Sequence, residues 1–190
     1  MTYELAFLGA GNMAEGILAA VLARRVYPAS AVIVSDPVAE RRELFAQQFG
    51  VQTTADNRAL VGSSRRVILA VKPQQFSEVA ADIADQVRPE QLFISIMAGV
   101  STARIESALR GSSTTAVRVV RVMPNLPVRV GAGIAGICPG AHASPEAVSE
   151  AQAILDAGGS SVVLDDEGLM DAVTAVSGSG PAYFYYFVEN

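Results

Sequence analysis

The sequence predicts an α/β protein with a doubly wound, Rossmann-like and mostly parallel sheet, followed by the start of an all-helical domain. Short apolar runs alternate with longer segments of helical periodicity, and this alternation is typical of a parallel sheet covered by helices on both faces. Residues 67–71 are continuously apolar, as expected for a central strand that is buried on both sides. A glycine-rich turn directly follows the first apolar run.

The first 123 residues carry most of this alternation. We expect strands over residues 4–8, 32–34, 51–53, 66–71, 92–97 and 116–123, and helices over residues 12–25, 39–49, 56–61, 74–87 and 101–109. Gly50 and Pro89 end two of these helices, and Pro73 ends the fourth strand. Ser101 is the expected N-cap of the fifth helix, because its hydroxyl can accept from an unpaired amide there.

The pattern changes after Pro124. Residues 131–138 could form a strand or hairpin at the sheet edge, and a helix over 145–157 with Ser144 as its cap precedes a strand over 161–164. A helix over 167–176 should be broken by residues 177–181, and an aromatic-rich helix should begin at residue 182. We therefore predict a nucleotide-binding domain over residues 1–165 and the truncated start of a helical domain over 166–190.

Composition narrows the class of protein. Of the 190 residues, 51% are hydrophobic and 17% are charged, which excludes a disordered chain, and the net charge of −5 argues against nucleic-acid binding. No apolar run reaches the roughly 18 residues of a membrane span, and the opening residues lack a signal segment, so we expect a cytoplasmic protein. Cys138 is the only cysteine and His142 the only histidine, so neither a disulfide nor a metal site is expected.

The clearest motif is the loop of residues 9–14, Gly-Ala-Gly-Asn-Met-Ala, between the first strand and the first helix. Gly9 permits the tight turn, Gly11 lets the backbone approach a pyrophosphate, and Ala14 allows close packing of helix on strand. The free amides and the positive end of the helix dipole would then hold the phosphates. The alternative is a tight turn that binds no ligand.

The end of the second strand should contact the adenosine ribose, and it reads Ser35-Asp36-Pro37. Asp36 could bind the 2′-hydroxyl of NADH, or it could cap the next helix. Arg41 and Arg42 could reach the 2′-phosphate of NADPH, or they could be solvated helix charges. The sequence leaves the choice between NADH and NADPH open.

Further motifs follow the later strands. They are Ala70-Val71-Lys72-Pro73, Ala98-Gly99-Val100, residues 120–127 (VRVMPNLP) and residues 175–183 (AVSGSGPAY). In this order they resemble the pyrroline-5-carboxylate reductase family over essentially the whole chain. The resemblance implies hydride transfer from NADPH or NADH to the C=N carbon of 1-pyrroline-5-carboxylate, which gives L-proline in proline biosynthesis. It also implies a homo-oligomer formed through C-terminal helices.

The resemblance also implies roles for individual residues, with no side chain assigned as acid or base. Asn57 would lie near the adenine ribose, with a helix cap as the alternative. Asn125 would lie beside the nicotinamide and substrate, unless it only forms a proline-rich turn. The remaining cofactor-binding residues are Gly9, Gly11, Asn12, Met13, Ser35, Ala70, Val71, Lys72, Pro73, Ala98 and Gly99. Ser177, Gly178, Ser179 and Gly180, at an expected helix start, would bind the substrate carboxylate or act as a hinge.

The chain departs from the family at Leu126, where members often have threonine, and in lacking the helical domain that follows in them. We therefore expect nucleotide binding but poor turnover. One alternative is a β-hydroxyacid dehydrogenase-like or imine-reductase-like enzyme, but the catalytic lysine of those dehydrogenases has no counterpart after Lys72. Another is a nucleotide-binding module without catalysis, against which the intact residues 177–181 argue.

Overall fold

A computed structural model describes residues 2–111, 114 and 116–189 of the chain. In this part of the chain eight strands form one sheet in the order β3-β2-β1-β4-β5-β6-β7-β8. The strands are β1 Tyr3–Leu8, β2 Val32–Ser35, β3 Gln52–Thr54, β4 Ser64–Leu69, β5 Leu92–Ser95, β6 Arg118–Met123, β7 Gly133–Pro139 and β8 Gly159–Val163. The helices are α1 Asn12–Ala23, α2 Ala39–Phe49, α3 Asn57–Ser63, α4 Phe76–Ile83, α5 Thr102–Arg110, α6 Pro145–Leu155, α7 Leu169–Val173 and α8 Gly180–Glu189.

The doubly wound topology is confirmed. The first six strands pair in parallel, and β1 lies between β2 and β4, with Ala6 in register with Ile33 on one side and Val67 on the other. The strand predicted over residues 131–138 is present as β7, which pairs antiparallel to β6. Its predicted position at the sheet edge was wrong, because β8 pairs with its outer side.

Two apolar cores, one on each face of the sheet, explain the continuous apolar strands. Leu5 and Phe7 of β1 point into the core under α1, α2 and α6, whereas Ala6 and Leu8 point into the core under α3, α4 and α5. Successive side chains of a strand point to opposite faces, so a strand buried on both sides has no polar position.

Local sequence patterns predicted several ends of helices and strands correctly. The hydroxyls of Ser101 and Ser144 accept hydrogen bonds from the third amides of their helices, each at 3.3 Å. The predicted helix over 74–87 is shorter than expected, since α4 is flanked by 3₁₀ turns on both sides. The predicted fourth strand ends two residues early, at Leu69.

The predicted break at residues 177–181 was wrong. A π-helical turn, Thr174–Ser179, joins α7 to α8 and continues the helix through Pro181. Proline has no amide hydrogen and its ring collides with the carbonyl four residues earlier in an α-helix. The wider π turn shifts that carbonyl, so the chain accommodates the proline without ending the helix.

Helix α8 carries a row of exposed aromatic side chains, with Tyr183 75% and Phe187 81% exposed. Within the described residues, no helix combines the length and the hydropathy needed to cross a membrane.

Candidate functional site

A cleft of about 680 Å³ opens at the carboxyl ends of β1, β2 and β4. The strand order reverses at β1, and ligands of open α/β sheets bind at such switch points. The residues that line it come from the glycine-rich loop, the ends of β2 and β4, and α4: Gly9, Ala10, Gly11, Asn12, Ser35, Asp36, Pro37, Val38, Arg41, Ala55, Asn57, Ala70, Val71, Lys72, Gln75, Glu78, Val79 and Asp82.

The glycine-rich loop has the geometry that the motif predicts. Gly9 has a φ of +103°, and a Cβ there would lie 2.7 Å from the carbonyl oxygen of Ala70, so only glycine fits. A Cβ on Gly11 would meet nothing within 4 Å, which leaves open space in front of the loop. No side chain caps α1, so amides of its first turn are available to a ligand.

The peptide of Ala10 is held from both sides. Its amide donates to Oδ2 of Asp36 at 2.8 Å, and its carbonyl accepts from Nε of Arg41 at 2.6 Å. Oδ1 of Asp36 accepts from the amide of Val38 at 2.9 Å, whereas α2 itself has no side-chain cap. The alternative that Asp36 caps α2 is therefore wrong.

Neither arginine at the start of α2 is a free solvated charge. Arg41 forms an ion pair with Glu15 at 2.9 Å, and Arg42 donates to the carbonyls of Asp36 and Pro37 at 2.7 and 2.9 Å. Arg42 therefore stabilises the loop that connects α2 to β2, and Arg41 joins α2 to the glycine-rich loop and to α1.

Ser35 and Asn57 meet at the same end of the cleft. The buried hydroxyl of Ser35 donates to Oδ1 of Asn57 at 2.7 Å. Asp56, not Asn57, caps α3 by accepting from the amide of Ala59 at 2.9 Å. Asn57 is thus not a helix cap, and its side chain lines the cleft.

The residues after β4 form the opposite wall. Ala70, Val71 and Lys72 line the cleft, while Pro73 begins the 3₁₀ turn behind them. Lys72 is the only lysine of the sequence. Its side chain is exposed and forms no ion pair with the described residues. Ala98 and Gly99 lie outside this cleft, exposed at the end of the next strand, β5.

Two predicted substrate residues come together beyond β6. Asn125 is 7% exposed, its Nδ2 donates to the hydroxyl of Ser177 at 3.1 Å, and its Oδ1 accepts from the amide of Ile134 at 3.0 Å. Asn125 is therefore more than part of a turn, because it joins three segments of the chain.

Residues 177–180 do not lie at a helix start as predicted. Ser177, Gly178 and Ser179 belong to the π turn, and Gly180 is the first residue of α8 in an uninterrupted helical path. A Cβ on Gly178 would lie 2.7 Å from Cε of Met123, so the glycine lets the π turn approach β6 closely.

An ionic cluster beside α5 was not predicted. Glu167 accepts from the amide and hydroxyl of Thr102, at 2.8 and 2.7 Å, and from Arg121 at 3.0 Å. Burial alone would raise the pKa of Glu167, but the hydrogen bonds from Thr102 and the pairing with Arg121 hold it below its usual value. No motif in the sequence marks these residues. Their partnership arises only from packing.

The described residues contain no group of three histidine, cysteine, aspartate or glutamate side chains that could hold a metal ion. Cys138 is buried, and burial raises the pKa of its thiol. The groups available in the cleft are backbone amides, the side chains of Lys72 and Arg41, carboxylates, and hydroxyl and amide side chains.

Comparisons with known proteins agree with this architecture. Residues 4–99 match the family described as NADP oxidoreductase coenzyme F420-dependent, and residues 167–190 match the pyrroline-5-carboxylate reductase dimerisation family. A pyrroline-5-carboxylate reductase of Pseudomonas aeruginosa is 40% identical over 188 residues, which cover 99% of this chain and 67% of that protein. The chain belongs to the pyrroline-5-carboxylate reductase family.

Solved structures support the same assignment. The pyrroline-5-carboxylate reductase of Coxiella burnetii superposes with a TM-score of 0.88 at 33% identity, covering 100% of this chain and 68% of that one. The Plasmodium falciparum enzyme, solved with NADP bound, has a TM-score of 0.85 at 24% identity, covers 98% of this chain and 66% of its own, and supports the fold alone. The chain spans about two thirds of the length of the curated pyrroline-5-carboxylate reductases it matches.

Proposed function

We propose that this chain binds reduced nicotinamide dinucleotide in the cleft beside β1 and takes part in the reduction of 1-pyrroline-5-carboxylate to L-proline. The observation that carries the proposal is the start of α1. Among the described residues no side chain caps it, and the space in front of Gly11 is open, so its amides can donate to a diphosphate.

The residues of the cleft divide between two parts of the dinucleotide. Ser35, Asp36 and Asn57 would face the adenosine ribose, because they converge at the end of β2. The amides of Gly11, Asn12 and Met13, one turn away, would bind the diphosphate. Gly9, which packs closely against Ala70, and Ala10, whose amide donates to Asp36, hold the loop between these two groups.

The other wall would position the nicotinamide. Ala70, Val71, Lys72 and Pro73 follow β4, and Ala98 and Gly99 follow β5, so all lie at the same edge of the parallel sheet. When bound, the cofactor supplies the hydride. The chain would hold the nicotinamide and the substrate next to each other. Bringing two reactants into the right geometry removes much of the barrier of a bimolecular reaction, so this is sufficient in principle for hydride transfer.

The substrate would lie between Asn125 and the π turn. Asn125 can orient a polar group because Ser177 and Ile134 fix its amide, and Ser177, Gly178, Ser179 and Gly180 would surround the substrate carboxylate. No side chain is assigned as acid or base. The positive charge of the substrate iminium already makes its carbon electrophilic, so the site needs only to hold it near the nicotinamide.

We further propose a boundary between residues 165 and 166, and assembly of the protein as a homo-oligomer through its C-terminal helices. The exposed aromatic row of α8 supports this, because an apolar surface of that kind marks an interaction site. It coincides with the match to the dimerisation family over residues 167–190.

Lys72 offers a test that does not depend on turnover. An amine-reactive reagent can label only Lys72 and the α-amino group, so mass spectrometry of the labelled peptide reports on the cleft. Excess NADH or NADPH should protect Lys72 but not the N-terminus, and Lys72→Arg should remove the label.

Direct titration provides the second measurement. Reduced dinucleotide should raise the melting temperature of the 190-residue chain and change its own fluorescence. If neither dinucleotide protects Lys72 or shifts the melting temperature, the proposal fails. An assay for L-proline formed from 1-pyrroline-5-carboxylate then separates a reductase, which forms it even at a low rate, from a nucleotide-binding module, which binds cofactor and forms none.

A further inference from the structure

The end of β2 borders the part of the cleft where the adenosine ribose would lie. Two ionic side chains reach this point from opposite sides of the glycine-rich loop, Asp36 from the end of the strand and Arg41 from the first turn of α2. Both line the cleft, and both hold the peptide of Ala10.

Asp36 keeps hydrogen-bonding capacity to spare. Each of its carboxylate oxygens accepts one amide hydrogen, from Ala10 and from Val38, at 2.8 and 2.9 Å. An ionised carboxylate offers about four acceptor positions, so two remain for a donor in the cleft. A ribose hydroxyl is such a donor, and a hydrogen bond to a charged acceptor is stronger than a neutral one.

The two arginines at this end of the cleft already have acceptors within the protein. Arg41 donates to the carbonyl of Ala10 and to Glu15, whose side chain is only 15% exposed and also lies 3.6 Å from Arg129. Arg42 donates to two backbone carbonyls and lies outside the cleft lining. Lys72 follows β4, on the other side of β1 from Asp36.

In the lining of the cleft, negative charges outnumber positive ones. Its lining holds three acidic residues, Asp36, Glu78 and Asp82, and two basic ones, Arg41 and Lys72. A 2′-phosphate would add negative charge directly beside the carboxylate of Asp36, with the nearest guanidinium already paired to Glu15. Like charges at contact distance destabilise the complex, whereas a free 2′-hydroxyl meets an acceptor.

We propose that Asp36 makes this site selective for NADH over NADPH, because its carboxylate accepts from a free 2′-hydroxyl and repels a 2′-phosphate. The inference rests on the proposed binding of a dinucleotide in this cleft and adds its identity. Asp36 thereby has two roles. Its carboxylate accepts from the amide of Ala10, and it distinguishes a ribose with a free 2′-hydroxyl from one with a 2′-phosphate.

The experiment is a titration of the intact chain with NADH and NADPH, followed by fluorescence. We expect NADH to bind about 10-fold more tightly or better, the factor that one lost charge-assisted hydrogen bond provides. The adenosine fragments should follow the same order, with 5′-AMP competing better than adenosine 2′,5′-bisphosphate. Added salt should reduce the preference, since it screens charge repulsion.

Asp36→Asn removes the charge and retains one oxygen acceptor for a loop amide. It should move the NADH-to-NADPH affinity ratio toward NADPH by about 10-fold. Asp82→Asn is the matched control, because it removes a charge from the same cleft, on α4, without contacting the loop. That variant should shift the ratio less than Asp36→Asn does, because its carboxylate lies on α4 and not at the end of β2.

The possible results separate this inference from the proposed function. Tighter binding of NADPH, an unchanged ratio in Asp36→Asn, or an equal shift in Asp82→Asn would each overturn the role of Asp36 while dinucleotide binding stands. Absence of binding by either dinucleotide would overturn both proposals. If Asp36→Asn lowers the melting temperature too far for titration, the order of the two fragments on the unaltered chain decides.

Discussion

The side-chain amide of Asn125 donates to the hydroxyl of Ser177 at 3.1 Å, across 52 residues of sequence. The same side chain accepts from the amide of Ile134, so one buried residue ties the loop after β6 to β7 and to the π turn. The candidate substrate site is therefore held by a hydrogen-bond network that spans three segments.

Replacing Asn125 by alanine should destabilise the fold as well as the site. Asn125→Ala leaves the amide of Ile134 without its partner and should lower the free energy of unfolding by about 1–3 kcal/mol. Ser177→Ala removes only the other end of the network and should cost about 0.5–1.5 kcal/mol. Urea unfolding measures both, and a larger loss in Ser177→Ala would contradict this description of the network.

The two glycines of the loop should respond differently to the same added methyl group. Gly9→Ala forces a Cβ to within 2.7 Å of the carbonyl oxygen of Ala70 at a φ of +103°, so it should lower the melting temperature. Gly11→Ala meets no atom within 4 Å and should leave the melting temperature nearly unchanged. Its methyl group projects into open space at the loop, so dinucleotide affinity should fall. Equal melting temperatures for the two variants would contradict the close contact at Gly9.

The cluster of Glu167, Thr102 and Arg121 should make the free energy of unfolding depend on pH. The pKa of Glu167 is lower in the folded chain than in the unfolded one, where it has its ordinary value. A depressed folded pKa stabilises the fold above the unfolded value, and this contribution is lost as the pH falls through the folded value. Glu167→Gln should therefore reduce stability at pH 7 and flatten its decline on acidification. Urea midpoints between pH 7 and 3 test this, and parallel curves for the two proteins would argue against it.

Replacing Glu106 by a neutral residue of similar shape should stabilise the fold. Its side chain is 6% exposed, and among the described residues its Oε1 has no hydrogen-bond partner. A buried polar atom without a partner costs roughly 1–3 kcal/mol, so Glu106→Gln, which can donate, should raise the free energy of unfolding by about 1 kcal/mol. Glu43→Gln on the exposed face of α2 is the control and should change little. A destabilised Glu106→Gln would mean that the carboxylate has a partner.

Local chemistry explains which parts of the fold were predictable. The limits of α2 were predicted to the residue, and Ser101 and Ser144 cap the helices that their side chains suggested. Each of these signals acts within a few residues of the chain. The glycine-rich loop was predictable for the same reason, because the strand, the turn and the helix are consecutive in sequence.

The misplaced elements depended on partners elsewhere in the chain. Strand β7 reads as an edge strand until β8 pairs with its outer side. The glycines and the proline of residues 177–181 favour the end of a helix, yet a π turn packed against Met123 continues the helix. Proline and glycine limit which backbone conformations a segment can adopt, and tertiary packing decides which of these conformations forms.

The sequence by itself determined the alternation of strands and helices, the glycine-rich loop and the family. Only the tertiary structure decided that Asp36 and Arg41 hold Ala10, that Asn125 reaches Ser177, and that Glu167 pairs with Arg121. These partners lie 26 to 52 residues apart. Their contacts exist because crossover connections and strand register bring distant segments together, which no local pattern encodes.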